Sequence, residues 1–201
     1  MKPSLAFMLL LLAFSIGAGA QENQPQLLKG PKGWAFERFS LPPSFAPAIT
    51  YKGFEELRFA PGMFQKEAHD YFTYAFVAQI DTAITIPQEG VSDYLLNYYK
   101  GLCAVTAKDR KLVIDTSQVR VTIIRQRPST AVQNNYSASV HLFGVFADGA
   151  PVILNMEITA IKNAARNKTY LFFIASPLAK NDVSWKELYK IRGQSLPLLI
   201  Q

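Results

Sequence analysis

The stretch YSASVHLFGVFADGAPVILNMEITAIK, residues 136–162, decides how the chain is read. Two runs rich in β-branched and aromatic residues flank Asp148-Gly149, a pair that tolerates positive φ and so marks a hairpin turn. Taken as a two-residue turn, it sets Ala147 against Ala150 and defines strands Tyr136–Ala147 and Pro151–Lys162. Val140 then opposes Glu157, Leu142 opposes Asn155 and His141 opposes Met156.

The flanking sequence extends the same pattern. Downstream, Asn163–Lys168 connects to a strand at Thr169–Ser176, and centring that turn on Ala165 places Phe173 opposite Glu157 and Phe172 opposite Ile158. Upstream, Val119–Arg127 is a strand joined through Pro128–Asn135, and pairing Arg127 with Tyr136 sets Ile123 opposite Val140. One row across this four-strand meander reads Ile123, Val140, Glu157, Phe173.

Three further β signals precede it: Trp34–Phe39, Phe54–Ala60 and the longer Tyr71–Ile86, the last with Phe72, Tyr74, Phe76, Ala78 and Ile80 on one face. Leu41-Pro42-Pro43-Ser44-Phe45-Ala46-Pro47 is an extended surface segment, since each proline lacks a backbone donor. Ser92–Ala107 is an amphipathic helix with Ser92 as N-cap. Leu95, Tyr99, Leu102 and Thr106 line its inner face, with Leu96 and Cys103 beside them. A closing helix spans Ser184–Gln194 and stops at Leu196-Pro197. The order β-β-β-α-β-β-β-β-α, with short connections, predicts an α+β fold: a twisted, predominantly antiparallel sheet with two packed helices. The alternative is a closed barrel.

The first twenty residues read as a secretory leader. Lys2 precedes an apolar run from Leu5 to Ile16, and Ala18-Gly19-Ala20 fits cleavage after Ala20. Crossing a bilayer takes about 20 apolar residues, which favours a cleaved leader over a retained anchor. The expected organisation is residues 1–20 as signal peptide, 21–33 as a flexible lead-in and 34–201 as one globular domain. No later segment in the mature chain reads as transmembrane, and the expected location is periplasmic or secreted. Removing Lys2 takes the formal charge from +6 to +5, a mild basic excess that favours anionic partners. Nucleic acid is disfavoured by the export and by the lack of a recognition motif. The one cysteine, Cys103, excludes an intrachain disulfide.

The candidate site residues come from the meander. Glu157, flanked by apolar neighbours in its row, is a candidate acid with a raised pKa or a ligand anchor; pairing with a basic group is the alternative. Arg125 falls on the same face, about 10 Å away laterally, and Phe173 borders Glu157 as a third ligand-binding candidate. His141, on the opposite face among Phe143, Leu154, Met156 and Ile158, is a catalytic candidate that lacks an adjacent nucleophile: Ser137 and Ser139 stand at alternate positions about 6.6 Å apart along the strand. Cys103 on an apolar helix face reads as a small hydrophobe. His69-Asp70 with Glu67, and the adjacent pair Glu55-Glu56, fail as sites because neighbouring strand residues face opposite ways. Two histidines cannot build a His-rich zinc centre, and the phosphate-loop, dinucleotide and Gly-x-Ser-x-Gly patterns are missing from the sequence. Neither metal nor cofactor is expected.

Three functions fit. The first is a non-catalytic exported domain that binds an anionic or aromatic-stacking ligand, or another envelope protein, through the sheet face or the aromatic N-terminal segment. The second is a small envelope hydrolase using Glu157 or His141. The third is a structural or assembly component.

Overall fold

The computed structural model describes residues 26–201; the predicted leader and the first part of the lead-in lie outside them. Seven strands form one antiparallel sheet, in spatial order β1-β2-β3-β7-β6-β5-β4. They are β1 (Ala35–Leu41), β2 (Gly53–Phe59), β3 (Tyr74–Ile80), β4 (Arg120–Gln126), β5 (Gln133–Phe143), β6 (Pro151–Asn163) and β7 (Lys168–Ser176). Helix α1 (Gln88–Arg110) covers one face and helix α2 (Val183–Ile200) the other. The α+β architecture with its C-terminal meander stands as predicted, and the sheet ends at β1 and β4 instead of closing into a barrel.

The central strands β3 and β7 are buried on both faces, which is why their sequences read as continuous apolar runs. On the α1 face, Tyr74, Phe76 and Ala78 meet Leu171, Phe173 and Met156; Phe76 and Phe173 stack at 4.1 Å. On the α2 face, Ala75, Val77, Phe172 and Ile174 pack against Trp185, Leu188 and Ile191. These helix residues recur every three or four positions, the spacing of one helical stripe.

Helix α1 begins four residues before the expected start. Pro87, extended at φ −71° and ψ 169°, takes the N-cap position in place of Ser92, and Glu89 supplies the acidic first turn. Lys111, left-handed at φ 58°, ends the helix, with its N–H directed to the carbonyls of Ala107 and Lys108. Gly101 is required by packing: a Cβ there would overlap the Phe45 carbonyl. Helix α2 runs through Pro197 to Ile200, past the expected stop. The missing proline donor affects only one carbonyl, and the apolar stripe continues to the buried Leu199.

The segment read as one strand over Tyr71–Ile86 is shorter. Phe72 adopts a positive φ of 53°, which breaks the extended run before Tyr74. The lead-in expectation is corrected for its described part. Leu28 is fully buried, and the N–H groups of Leu27 and Leu28 donate to Glu56 Oε2 at 2.8 and 2.9 Å. Two adjacent leucines in a polar stretch carry no periodicity, so this anchoring was not legible in the sequence.

Register is the main correction. Asp148-Gly149 lies within a seven-residue connection, Gly144–Ala150, closed by Gly144 N–H to Ala150 O at 2.8 Å. Gly149 does take positive φ, 75°, but it sits near the end of the loop and is not half of a two-residue turn. Val140 therefore pairs with Leu154, and Glu157 pairs with Ser137. In β6–β7, Glu157 pairs with Ile174 and Ile158 with Phe173. In β4–β5, Ile123 pairs with Ala138. The first two slips are odd numbers of residues, and an odd slip reverses which residues share a face.

Candidate functional site

The observed row through Glu157 reads Ile124, Ser137, Glu157, Ile174, Ala75, Arg58, Phe36. Phe173 and Arg125 leave the neighbourhood of Glu157 for the opposite face. Phe173 is fully buried in the α1-side core. Arg125 is exposed and donates to the Asn134 side chain. His141 comes the other way: it joins the face of Glu157, exposed, between Arg120 and Ile153 instead of among core residues. His141 and Glu157 stay apart, because the Ser137 that opposes Glu157 is four residues from His141, about 13 Å along the strand.

Glu157 is an ion-pair hub. Lys180 Nζ donates to Oε1 at 2.9 Å, Tyr189 Oη to Oε1 at 3.0 Å, and Arg192 to Oε2. Burial pushes its pKa up, but Lys180, Arg192 and Tyr189 outweigh this and hold the carboxyl below its ordinary value. The raised-pKa acid considered from the sequence is corrected; the basic partners come from α2 and its approach, not from Arg125. The group fastens the helix to β6.

Helix α2 packs on β7, β6 and β3, and residues 26–28 reach over β2 through Glu56 and Arg58. Nothing among the described residues covers the rest of this face. Thr122, Ile124 and Gln126 of β4, Ser137, Ser139 and His141 of β5, and Ile153 of β6 form an open half-sheet. Ile124 is 59% and Ile153 50% exposed. The other side of these strands is closed by α1, with Val140, Leu142 and Leu154 buried. Hydroxyls and amides dominate the open side, including the Gln126 Nε2 to Ser137 Oγ bond at 2.8 Å. Its chemistry is that of a hydrogen-bonding platform with two apolar contacts.

Two further features escaped the sequence reading. The first is a buried polar cluster on the α1 face. Glu55, fully buried, accepts from the Tyr94 hydroxyl at Oε1, while Oε2 has no hydrogen-bond partner among the described residues. Burial raises the Glu55 pKa well above normal; the Tyr98 hydroxyl opposes that shift and Glu37 adds to it. Burial also lifts Glu37 from 4.5 to about 6. Tyr74 and Tyr99 share a hydroxyl–hydroxyl bond alongside. The second feature is an open depression of about 230 Å³ between α2 and the loop before β3, bordered by Trp34, His69, Asp70, Thr73 and Glu187. At its edge His69 Nε2 lies 3.0 Å from Asp182 Oδ1, and the same Asp182 caps α2 by accepting from Ser184 N–H at 2.8 Å. His69 and Asp70 lie in turns, not in the strand assumed from the sequence.

Cys103 is buried on α1, and burial raises its thiol pKa, as expected of a packed hydrophobe. Among the described residues no three His, Cys, Asp or Glu side chains are placed to hold a metal ion, and no helix is long and apolar enough to cross a membrane. No protein-family model, curated protein or solved structure matches this chain.

Proposed function

We propose that this chain is an exported, non-catalytic binding domain whose recognition surface is the open half-sheet of β4, β5 and β6. One observation carries the reading: α2 and residues 26–28 cover the face up to Glu157, and beyond it Ile124 and Ile153 stand exposed among hydroxyls and amides. An antiparallel sheet can leave one face in water. Exposed isoleucines beside oriented polar groups suit a docked partner better than bulk solvent. The apolar run and small-residue cleavage pattern of residues 1–20 support export. Glu157, saturated by its three donors, suits a structural post at the border of this surface better than a proton donor.

The test is capture from the exported-protein fraction of the source organism, comparing the natural chain with Ile124→Glu/Ser137→Arg. The double change keeps the α1-side core intact, which a far-UV spectrum verifies. Proteins enriched by the natural chain and lost with the variant support the surface. Equal capture by both, or robust turnover that Glu157→Gln abolishes, defeats the reading.

A further inference from the structure

Strand β4 is one end of the sheet, so its outer row of backbone N–H and C=O groups has no neighbouring strand among the described residues. The charge around this edge is one-sided. Between Asp115 and Asp148 the chain has Arg120, Arg125 and Arg127 and no Asp or Glu. The alternation of β4 places Arg120 on the open face with Ile124, and Arg125 on the α1 face. Guanidinium groups therefore flank both sides of the free edge. Each is lightly held: Arg120 Nη1 donates to Ser117 O at 3.0 Å and Arg125 to the half-buried Asn134 side chain. Two acidic groups act near this edge: Asp115, whose pKa is held down mainly by its bonds to Ser117 and Gln118 and slightly by Arg120, and Glu89 of α1, felt at Tyr136, the residue paired with Arg125. Gln88 Nε2 makes a long bond of 3.4 Å to Ile123 O, and Ser129 Oγ donates to Gln126 O at 3.0 Å at the end of the strand.

We infer that β4 accepts an extended acidic segment of a partner protein as an eighth strand, a deduction that rests on the binding surface proposed above and names its occupant. Backbone pairing supplies affinity at a bare edge, while side chains at alternate positions supply selection. Acidic residues on the incoming strand meet Arg120 on one face and Arg125 on the other, and its apolar residues extend the row of Ile124. A second copy of this chain is a poor occupant, because pairing β4 with itself joins two arginine-bearing, carboxylate-free edges. A polyanionic glycan or lipid surface would answer the arginines but not the ladder of N–H and C=O groups.

The probe is a fluorescent dodecapeptide of alternating Glu and Val, titrated against the full chain by anisotropy. It is compared with a Lys-Val peptide and with a Glu-Val peptide N-methylated at alternate residues. Expected results are preference for Glu-Val over Lys-Val by at least about tenfold, and loss of binding on methylation in one of the two alternate phases. Arg120→Ala/Arg125→Ala/Arg127→Ala should weaken binding about tenfold, the sum of several exposed charge pairs. Arg120→Glu/Arg125→Glu should shift the preference to Lys-Val. Equal binding of parent and both methylated peptides, or heparin and phosphatidylglycerol vesicles binding as tightly as Glu-Val, would overturn the inference in favour of a non-peptidic polyanion. Absence of Glu-Val binding overturns it as well; the broader surface reading then still stands if Ile124→Glu/Ser137→Arg loses capture.

Discussion

Glu55 and Glu56 are consecutive residues of β2, both fully buried, and their surroundings are opposite. Glu56 points to the α2 face, where Arg38 pairs with Oε1 and two backbone N–H groups fill Oε2. Glu55 points to the α1 face, where its support is tyrosine hydroxyls, a neighbouring carboxyl adds repulsion and one oxygen has no hydrogen-bond partner among the described residues. A strand reverses its side chains at every residue, so one peptide unit separates a paired carboxylate from a carboxyl driven towards its neutral form. Burial alone does not fix what an acid does; the donors on its face decide.

Glu56→Gln should show the largest effect. It neutralises the carboxylate that pairs with Arg38, whose side chain is 5% exposed, and weakens the attachment of residues 27 and 28. The expected cost is about 3–5 kcal/mol in urea unfolding, with earlier proteolysis near the N-terminus. A loss below about 1 kcal/mol would erase the contrast between the two positions.

The pH dependence comes next, from the other face. Glu37 rises from 4.5 to about 6 and Glu55 well above 4.5. A carboxyl that holds its proton more tightly when folded contributes stability that is complete below its unfolded pKa and is lost as pH rises through its folded pKa. Stability should therefore fall between pH 4.5 and 6 from Glu37, by up to about 2 kcal/mol, and continue to fall at higher pH from Glu55. Glu55→Gln keeps an acceptor for Tyr94 and removes the later part of that decline, at a cost within about 1 kcal/mol at pH 5. Denaturant midpoints measured from pH 4.5 to 8 decide it: parallel curves for both proteins would mean that Glu55 is ionised when folded.

Glu157 sharpens the comparison with the smallest effect. It shares the α2 face with Glu56 but keeps 23% side-chain exposure, and Lys180 is 44% exposed. Glu157→Gln should cost about 0.5–1 kcal/mol. Its lowered pKa makes its contribution present above pH 4.5 and lost as pH falls through the folded value, the reverse of Glu55. An NMR titration of its carboxyl with a midpoint above 4.5 would contradict this.

The α+β class and the meander were legible because alternation and turn residues are local properties. Tyr74, Phe76, Ala78 and Ile80 were read to one face, and the structure places them there. The opposite facing of Glu55 and Glu56 was equally legible, since it follows from strand geometry at a single peptide. The neighbours of Glu157 were not: they depend on counting across Gly144–Ala150, where Asp148-Gly149 offers a shorter turn than the chain uses. The acid-free span from Thr116 to Ala147 was in plain view, but its meaning required knowing that β4 lies at an edge.

The sequence by itself determined the number and order of most strands and the two helices, because these rest on periodicity and on residues that permit or forbid backbone states. Tertiary structure alone decided which side chains meet. Two register slips by odd counts exchanged Phe173 and Arg125 for His141 on the face of Glu157, and α2 with the segment leading into it supplied the cations that hold its charge. Side-chain identity is local, while the dielectric and the partners around a side chain come from elements far away in the chain, so composition reaches the fold class and stops short of the site.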